Sequence, residues 1–338
     1  MISSESISQL FSEFSGLTAL VIGDVMVDSY IWGNVSRVSP EAPVPIVEVE
    51  KRENRLGGAA NVGLNLRALG ATPILCSVIG TDQRGDDFTG LLKKEGLPLE
   101  GIIYCDDRIT TTKFRVIGNN TQLLRVDEET TSPLTKKQDQ QLWQQIEMLI
   151  NEKSIDVVVF QDYDKGIISQ KLIEQVVKLS RTKNIPVVVD PKKSNFLSYN
   201  NVTLFKPNLK EIKEGLNLEV TDDNDVDIEL AVAKLQDKLN AHIILNTLSD
   251  KGVFISWKIK EGYESRLIPA HIRNIADVSG AGDTVISVAG LCVAQNIDPP
   301  IMAAIANLAG GIVCEEVGVV SINKEKLHNE VSRLLSRS

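Results

Sequence analysis

The chain has 338 residues, 43% of them apolar and 24% charged, a soluble globular composition that excludes disorder, collagen and coiled coil. With 36 Lys and Arg against 45 Asp and Glu, the net charge of −9 speaks against a nucleic-acid partner or an anionic membrane surface. Anionic small molecules stay open, because an acidic protein can still hold them in a local basic pocket.

The chain is long enough to bury about three quarters of its surface without disulfides or metal. Four scattered cysteines, Cys76, Cys105, Cys292 and Cys314, show no C-x-x-C spacing. With only three histidines, a zinc site has almost no material, and the thiols read as reduced and buried. Ile7, Leu10, Phe11 and Phe14 recur at helical spacing behind a polar start, so the N-terminus reads as an amphipathic helix rather than a signal peptide. The longest apolar run, 285–294, is about half of what a bilayer needs. A cytoplasmic protein is expected.

From Leu17 onward, apolar runs alternate with helical patterns. LTALVIGD, IDVVVFQD, IPVVVDP and HIILNT read as buried strands, and helices are predicted around 59–69, 135–151, 169–181 and 227–240. This order implies βαβ units, an α/β fold with a mostly parallel sheet covered by helices on both faces. Ligands in such sheets sit beyond the C-terminal strand ends. The polar residues after the runs, Asp24, Asp28, Asp162, Asp190 and Asn208, are therefore the positions to watch.

Two segments break the rhythm, 30–56 with its three prolines and 102–127, a hairpin turning at Asn119-Asn120. Their half-polar alternation suits a small antiparallel sheet, read as a β lid inserted in one domain spanning 1–338. The alternative is an edge extension of the main sheet. On the hairpin strand before the turn Lys113 and Arg115 share one face, where they could clamp a phosphate with Arg37 or Arg125. The bland alternative is a solvated cationic face. The acidic stretch with Asp223, Asp225 and Asp227 resembles the start of a calcium loop, but Ile228 stands where glycine is required and Lys234 where glutamate is. It reads as a solvated turn leading into a helix.

The strongest chemical signal is Asp277-Val-Ser-Gly-Ala-Gly-Asp283 before an apolar helical run. Gly280, Ala281 and Gly282 would present N–H groups at a helix start, an anion site, and Asp283 beside them could accept a proton from a hydroxyl. The alternative is a helix cap behind a glycine turn. There is neither a Walker A sequence nor a complete G-x-G-x-x-G, against P-loop and dinucleotide readings. Asn208 and Glu211 in KPNLKE admit a simple capping role as well.

DVSGAGD resembles the C-terminal signature of the PfkB, or ribokinase-like, carbohydrate kinases, and the resemblance runs along nearly the whole chain. Gly57-Gly58-Ala-Ala-Asn61 resembles the family's N-terminal glycine signature, and VIGDVMVD its first strand, whose last residue, Asp28, binds sugar hydroxyls. The resemblance implies Asp283 as catalytic base, Gly280 to Gly282 as anion hole, and Asn208, Glu211 and Asp277 on the side of ATP and its Mg2+ ion. It admits K+ near Asp277; a homodimer joined through the lids is expected separately, because a small open sheet leaves edges that pairing would cover. One departure is Ser249, which stands where the family's Thr-Leu-Gly-x-x-Gly has its first glycine.

GDVMVD, SRVSPEAPVPIVEV, GGAANV, TKFRV and QLLRVD, in that order, closely resemble the subgroup of heptose 7-phosphate kinases of ADP-heptose and lipopolysaccharide core synthesis. That implies transfer of phosphate from ATP to the anomeric O1 of D-glycero-β-D-manno-heptose 7-phosphate. The chain ends 55 residues after Asp283 and has no His-x-Gly-His, so the form without a nucleotidyltransferase domain is expected. The alternatives are a ribokinase-like enzyme for ribose, fructose, fructose phosphate or a nucleoside, and a non-catalytic sugar-phosphate sensor. The intact Asp283 argues against the sensor.

Overall fold

Strand and helix alternate along the chain as its apolar runs dictate. The computed structural model describes residues 3–217 and 225–336, the side chains of 225–227 excepted. The first elements are α1 (Ser4–Glu13), β1 (Thr18–Gly23), β2 (Val25–Val38), β3 (Pro45–Gly58), α2 (Ala59–Ala68), β4 (Thr72–Gly80) and α3 (Gln83–Lys94). Next come β5 (Ile102–Cys105), β6 (Thr112–Gly118), β7 (Thr121–Glu128), α4 (Lys136–Glu152), β8 (Val157–Gln161), α5 (Gln170–Thr182), β9 (Val187–Asp190), β10 (Leu204–Phe205) and α6 (Leu209–Leu216). The rest is α7 (Asp225–Leu239), β11 (Ile243–Thr247), β12 (Val253–Lys258), β13 (Tyr263–Ile268), α8 (Ala281–Ala294), α9 (Pro299–Val313) and α10 (Lys324–Leu335).

Nine strands form the main sheet in the order β13-β12-β11-β10-β9-β8-β1-β4-β5. It is parallel from β5 to β11 and antiparallel at β11–β12 and β12–β13. Successive side chains of a strand point to opposite faces, so each apolar run feeds two cores. Val21, Val157, Val159 and Val188 pack with Leu66 of α2, Ile286 of α8 and Ile305 of α9. Leu20, Ile22, Val158, Phe160 and Val189 pack with Ile146 of α4, Ile173 of α5 and Leu235 of α7 on the other face. A fully buried Val, Leu, Ile or Phe contributes about 1.5–3 kcal/mol. These two layers fix the strand ends, where Asp24, Gln161 and Asp190 lie.

The second sheet has four strands in the order β3-β2-β6-β7 and is mixed rather than antiparallel, because its central strands β2 and β6, one from each hairpin, run parallel. Asn119 and Asn120, at φ 51° and 62°, turn β6 into β7; two left-handed residues match the twist of a tight hairpin. The boundaries differ from the sequence reading in two ways. Ile102–Cys105 pairs with β4 as the edge of the main sheet, so only 112–128 of the second segment belongs to the small sheet. A four-residue edge strand has too few positions for its alternation to tell the two apart. The VIGDVMVD run is also not one strand. It breaks at Asp24, whose carboxylate turns inward to accept N–H bonds from Tyr163, Lys165 and Ile167, and Asp28 thereby falls on the small sheet.

All four cysteines are buried and unpaired. Burial pushes the Cys292 thiol up to about 12, so it stays protonated and inert. Among the described residues no helix is long and apolar enough to cross a membrane. Asp223 of the acidic stretch, and the side chains of Asp225 and Asp227, lie outside the described residues.

Candidate active site

The start of α8 is built from two glycines with different duties. Gly280 is the N-cap at φ +81°, where a Cβ would stand 2.9 Å from Asn61 Nδ2. Both the left-handed backbone and the close approach require glycine there. Ala281 is the first helical residue and donates to the Val278 carbonyl at 3.3 Å. Gly282 and Asp283 follow in the first turn, where N–H groups have no intrahelical acceptor. A Cβ on Gly282 would face Asp190 Oδ2 and Lys206 Nζ, each at 3.6 Å. The helix N-terminus and the Lys206 ammonium thus border one small space, an arrangement suited to an anion.

Asp283 projects from this turn into the interior and is only 4% exposed. Its Oδ2 accepts from Asn61 Nδ2 at 2.7 Å, and its Oδ1 from the Tyr163 hydroxyl at 2.7 Å and Gln161 Nε2 at 3.2 Å. Burial pushes its pKa up to about 6, against the lowering effect of the Asn61 and Tyr163 donors; Asp190 adds to the rise and Lys206 opposes it. Lys206 is ion-paired to Asp190 at 3.0 Å, and Gln161 reaches the same carboxylate at 3.2 Å. A carboxylate titrating near neutrality beside an anion-binding turn is equipped to take a proton while charge moves past it. Gln161, Tyr163 and Lys206 were missed from the sequence. Gln161 and Lys206 stand just after apolar runs, the signal that did single out Asp190.

Asn61, expected to bind substrate, lies on α2 and spends its amide on Asp283, with Asn65 donating to its backbone and side-chain oxygens. Gly57 and Gly58 close β3 against the same region. A Cβ on Gly57 would stand 2.3 Å from Asp28 Oδ2, and one on Gly58 (φ +60°) 2.4 Å from the Asp24 carbonyl. Gly57 thus lets the Asp28 carboxylate sit flat on the backbone, and Gly58 admits the Asp24 carbonyl.

Asp28 forms an ion pair with Arg115 Nη1 across the small sheet, and the guanidinium lies 5.3 Å from the Tyr30 ring centre. Arg55 covers the same ring at 4.9 Å. Lys113 shares the Arg115 face of β6, yet it is bound to Asp127 at 2.9 Å and Glu129 at 3.4 Å. Arg125 is more exposed and also pairs with Asp127, at 3.0 Å. Each of these three cations therefore has a carboxylate that a phosphate would have to share. Arg37 is exposed near the far end of β2, nine residues beyond Asp28. At about 3.3 Å per residue that is roughly 30 Å, so the structure does not bring it to the site.

On the opposite side Asn208 and Glu211 make the full capping box of α6: Glu211 N donates to Asn208 Oδ1 at 2.9 Å and Asn208 N to Glu211 Oε2 at 2.8 Å. The other Glu211 oxygen pairs with Lys192, whose ammonium lies 5.8 Å from the Tyr163 ring centre. The capping role is thus real and leads back to Asp283 through Tyr163. Asp277 accepts from the N–H groups of Ser279 at 2.9 Å and Gly318 at 3.0 Å; despite partial burial, these donors hold its pKa low. Ser249 adopts φ +57°, so the backbone keeps a left-handed turn without glycine.

Among the described residues no group of three or more His, Cys, Asp or Glu side chains could hold a metal. The donors present, oxygens of Glu211 and Asn208 in one cap, fit a magnesium ion that keeps waters and rides on nucleotide phosphates. Gln fits the N3 position of a capping box as Glu does. Glu211→Gln is therefore expected to keep its melting temperature within a few degrees while activity requires several-fold more Mg2+. A fall in melting temperature as the sole effect would leave Glu211 with the cap alone.

The chain matches the pfkB family of carbohydrate kinases over residues 18–326. The bifunctional protein HldE of Desulfatibacillum aliphaticivorans is 40% identical over 316 residues, 94% of this chain and 63% of that protein. The HldE protein of Syntrophotalea carbinolica is 35% identical over 328 residues, 97% of this chain and 65% of that protein. The chain thus spans a little under two thirds of the length of these relatives. Among solved structures, phosphofructokinase-2 from Escherichia coli in complex with potassium superposes with a TM-score of 0.76 at 19% identity, covering 94% of this chain and 99% of that one. Ribokinase of Arabidopsis thaliana complexed with ribose and ATP gives 0.71 at 16% identity, with coverage of 94% and 99%.

Proposed function

The chain belongs to the pfkB family of carbohydrate kinases, and from that premise we propose that it transfers phosphate from ATP to the anomeric O1 of D-glycero-β-D-manno-heptose 7-phosphate. The observation that carries the phosphoryl-transfer reading is Asp283, buried among three donors in the open first turn of α8. On this reading Asp283 accepts the proton of the attacking hydroxyl. The Gly282 and Asp283 N–H groups, with Lys206, offset charge on the transferring phosphoryl group. Asp28 receives sugar hydroxyls, and Arg115, with Lys113 and Arg125 beside it, takes the 7-phosphate.

Magnesium bound with ATP supplies charge neutralisation at the phosphates. Glu211 and Asn208 would orient its waters, and Asp277, kept charged by its N–H donors, is the carboxylate available to a potassium ion. The heptose assignment rests on the five ordered motifs along the small sheet and on the kinship with the HldE proteins. The proposal includes cytoplasmic action, where ATP is at hand, and a homodimer. For the dimer, Leu124 and Val126 lie 56% and 48% exposed on one face of β7, an edge strand open to pairing.

The test is ADP release from Mg-ATP with heptose 7-phosphate, fructose 6-phosphate, ribose and a nucleoside side by side. Preference for heptose 7-phosphate over the neutral acceptors by a factor of about a hundred or more in kcat/KM is expected, because they offer Arg115, Lys113 and Arg125 no phosphate to bind. Preference for another acceptor would replace the substrate. ADP release with none of them, in a chain that binds the sugar phosphate, would make it a sensor.

A further inference from the structure

The turn between β8 and α5 has an architecture that neither the fold nor the capping of α5 requires. Asp24, at the break between β1 and β2, is 1% exposed and accepts three backbone N–H bonds from it: Tyr163 at 2.8 Å, and Lys165 and Ile167 at 3.3 Å each. The alternate N–H groups converge because Asp164 and Gly166 are left-handed, at φ 55° and 82°. Curling of this kind turns successive N–H groups toward one anion. A Cβ on Gly166 would stand 2.2 Å from the Ser132 carbonyl, so the curl is tightly packed. The outer side is held by Asp162, which accepts from Asp164 N, Asn195 Nδ2 and the Tyr199 hydroxyl. The product of this scaffolding is one hydroxyl, that of Tyr163, 2.7 Å from Asp283 Oδ1.

We propose that Tyr163 is a positioning residue for Asp283 and that Asp24 sets it by gathering the backbone of its turn. The proposal rests on Asp283 being the base. Asn61 and Tyr163 hold opposite carboxylate oxygens, which fixes the rotation of the group about its last bond and aims one lone pair at the acceptor. The Tyr163 proton also favours the ionised carboxylate. The groups facing Asp283 are Asn61 from α2, Gln161 and Tyr163 from the end of β8, Asp190 from β9 and Lys206 after β10. Asp162 and Arg108 face Asp24, and Lys192 faces the Tyr163 ring.

The experiment compares Tyr163→Phe, Asp24→Asn, their double variant and Asp283→Asn in the full chain, with whichever acceptor releases ADP in the panel above. For Tyr163→Phe, kcat should fall about tenfold with both KM values within about twofold, as a lost hydrogen bond to a charged group implies. The acid limb of kcat should move up by about half to one pH unit, because a donor to the ionised form is gone. Asp24→Asn should lower kcat likewise, and the double variant should be no slower than the slower single. An unmoved acid limb in Tyr163→Phe, with Asp283→Asn inactive, overturns the assignment of Tyr163. Losses that multiply in the double variant overturn the link to Asp24. Turnover retained by Asp283→Asn fails the base reading instead. Should Asp24→Asn not fold, Tyr163→Phe decides alone.

Discussion

Asp283→Asn should lower kcat by about 10² to 10⁴ with ATP binding nearly intact, a rise in barrier of about 3–5 kcal/mol. The substitution keeps the shape but removes the proton acceptor. The amide that replaces one oxygen must also face a donor, Asn61 on one side or Tyr163 and Gln161 on the other. In the unaltered chain the pH profile carries the same information. Burial raises the Asp283 pKa to about 6, so with Asp283 as the proposed base kcat/KM should be flat above that value and fall as pH drops through it. More than a tenth of the original turnover in Asp283→Asn would remove Asp283 from the role of base.

Arg115→Ala is expected to raise KM for heptose 7-phosphate ten- to a hundredfold while KM for ATP stays near its original value. Loss of a cation that clamps a phosphate costs on the order of 1.5–3 kcal/mol. The structure adds a competing explanation. Arg115 is the ion-pair partner of Asp28, so truncation also leaves that carboxylate buried without its counter-charge. The two separate by substrate. If Arg115 holds the phosphate, KM for an unphosphorylated sugar is untouched; if it serves only to orient Asp28, phosphorylated and free sugars suffer equally. Arg115→Lys should recover part of the loss, since an ammonium keeps the charge and loses the planar fork. An unchanged sugar KM would pass the phosphate to Arg125 and Lys113.

The layered α/β architecture was legible because β1, β8, β9 and β11 are apolar runs buried on both faces, whereas β10, only Leu204–Phe205, is too short to stand out. The hairpin turning at Asn119-Asn120 was legible locally as well. What escaped is non-local. The face shared by Lys113 and Arg115 follows from alternation, but their carboxylate partners follow from the register of β2 and β7, which no single strand encodes. Tyr163 reads as one more polar residue in QDYDKG; only the curl around Asp24 carries its hydroxyl to a residue 120 positions away. Asn208 and Glu211 show the opposite case. Their spacing declared a cap while the family resemblance implied a metal-side role, and the cap is realised in full.

The strand order also has a temporal meaning. Strands β8 to β12 lie side by side in the order in which they occur in the chain, so that half of the sheet can assemble by pairing each strand with its predecessor. The centre cannot: Ala19 of β1 pairs with Val157, across more than a hundred residues of intervening chain, and closing such a loop must precede any reward from the pairing. The contact between Asn61 and Asp283 spans 222 positions and depends on that closure, because α2 and α8 meet over the strands it joins. In a refolding experiment turnover should therefore return after most helix and strand signal, with Asp283 among the last groups to find its partners.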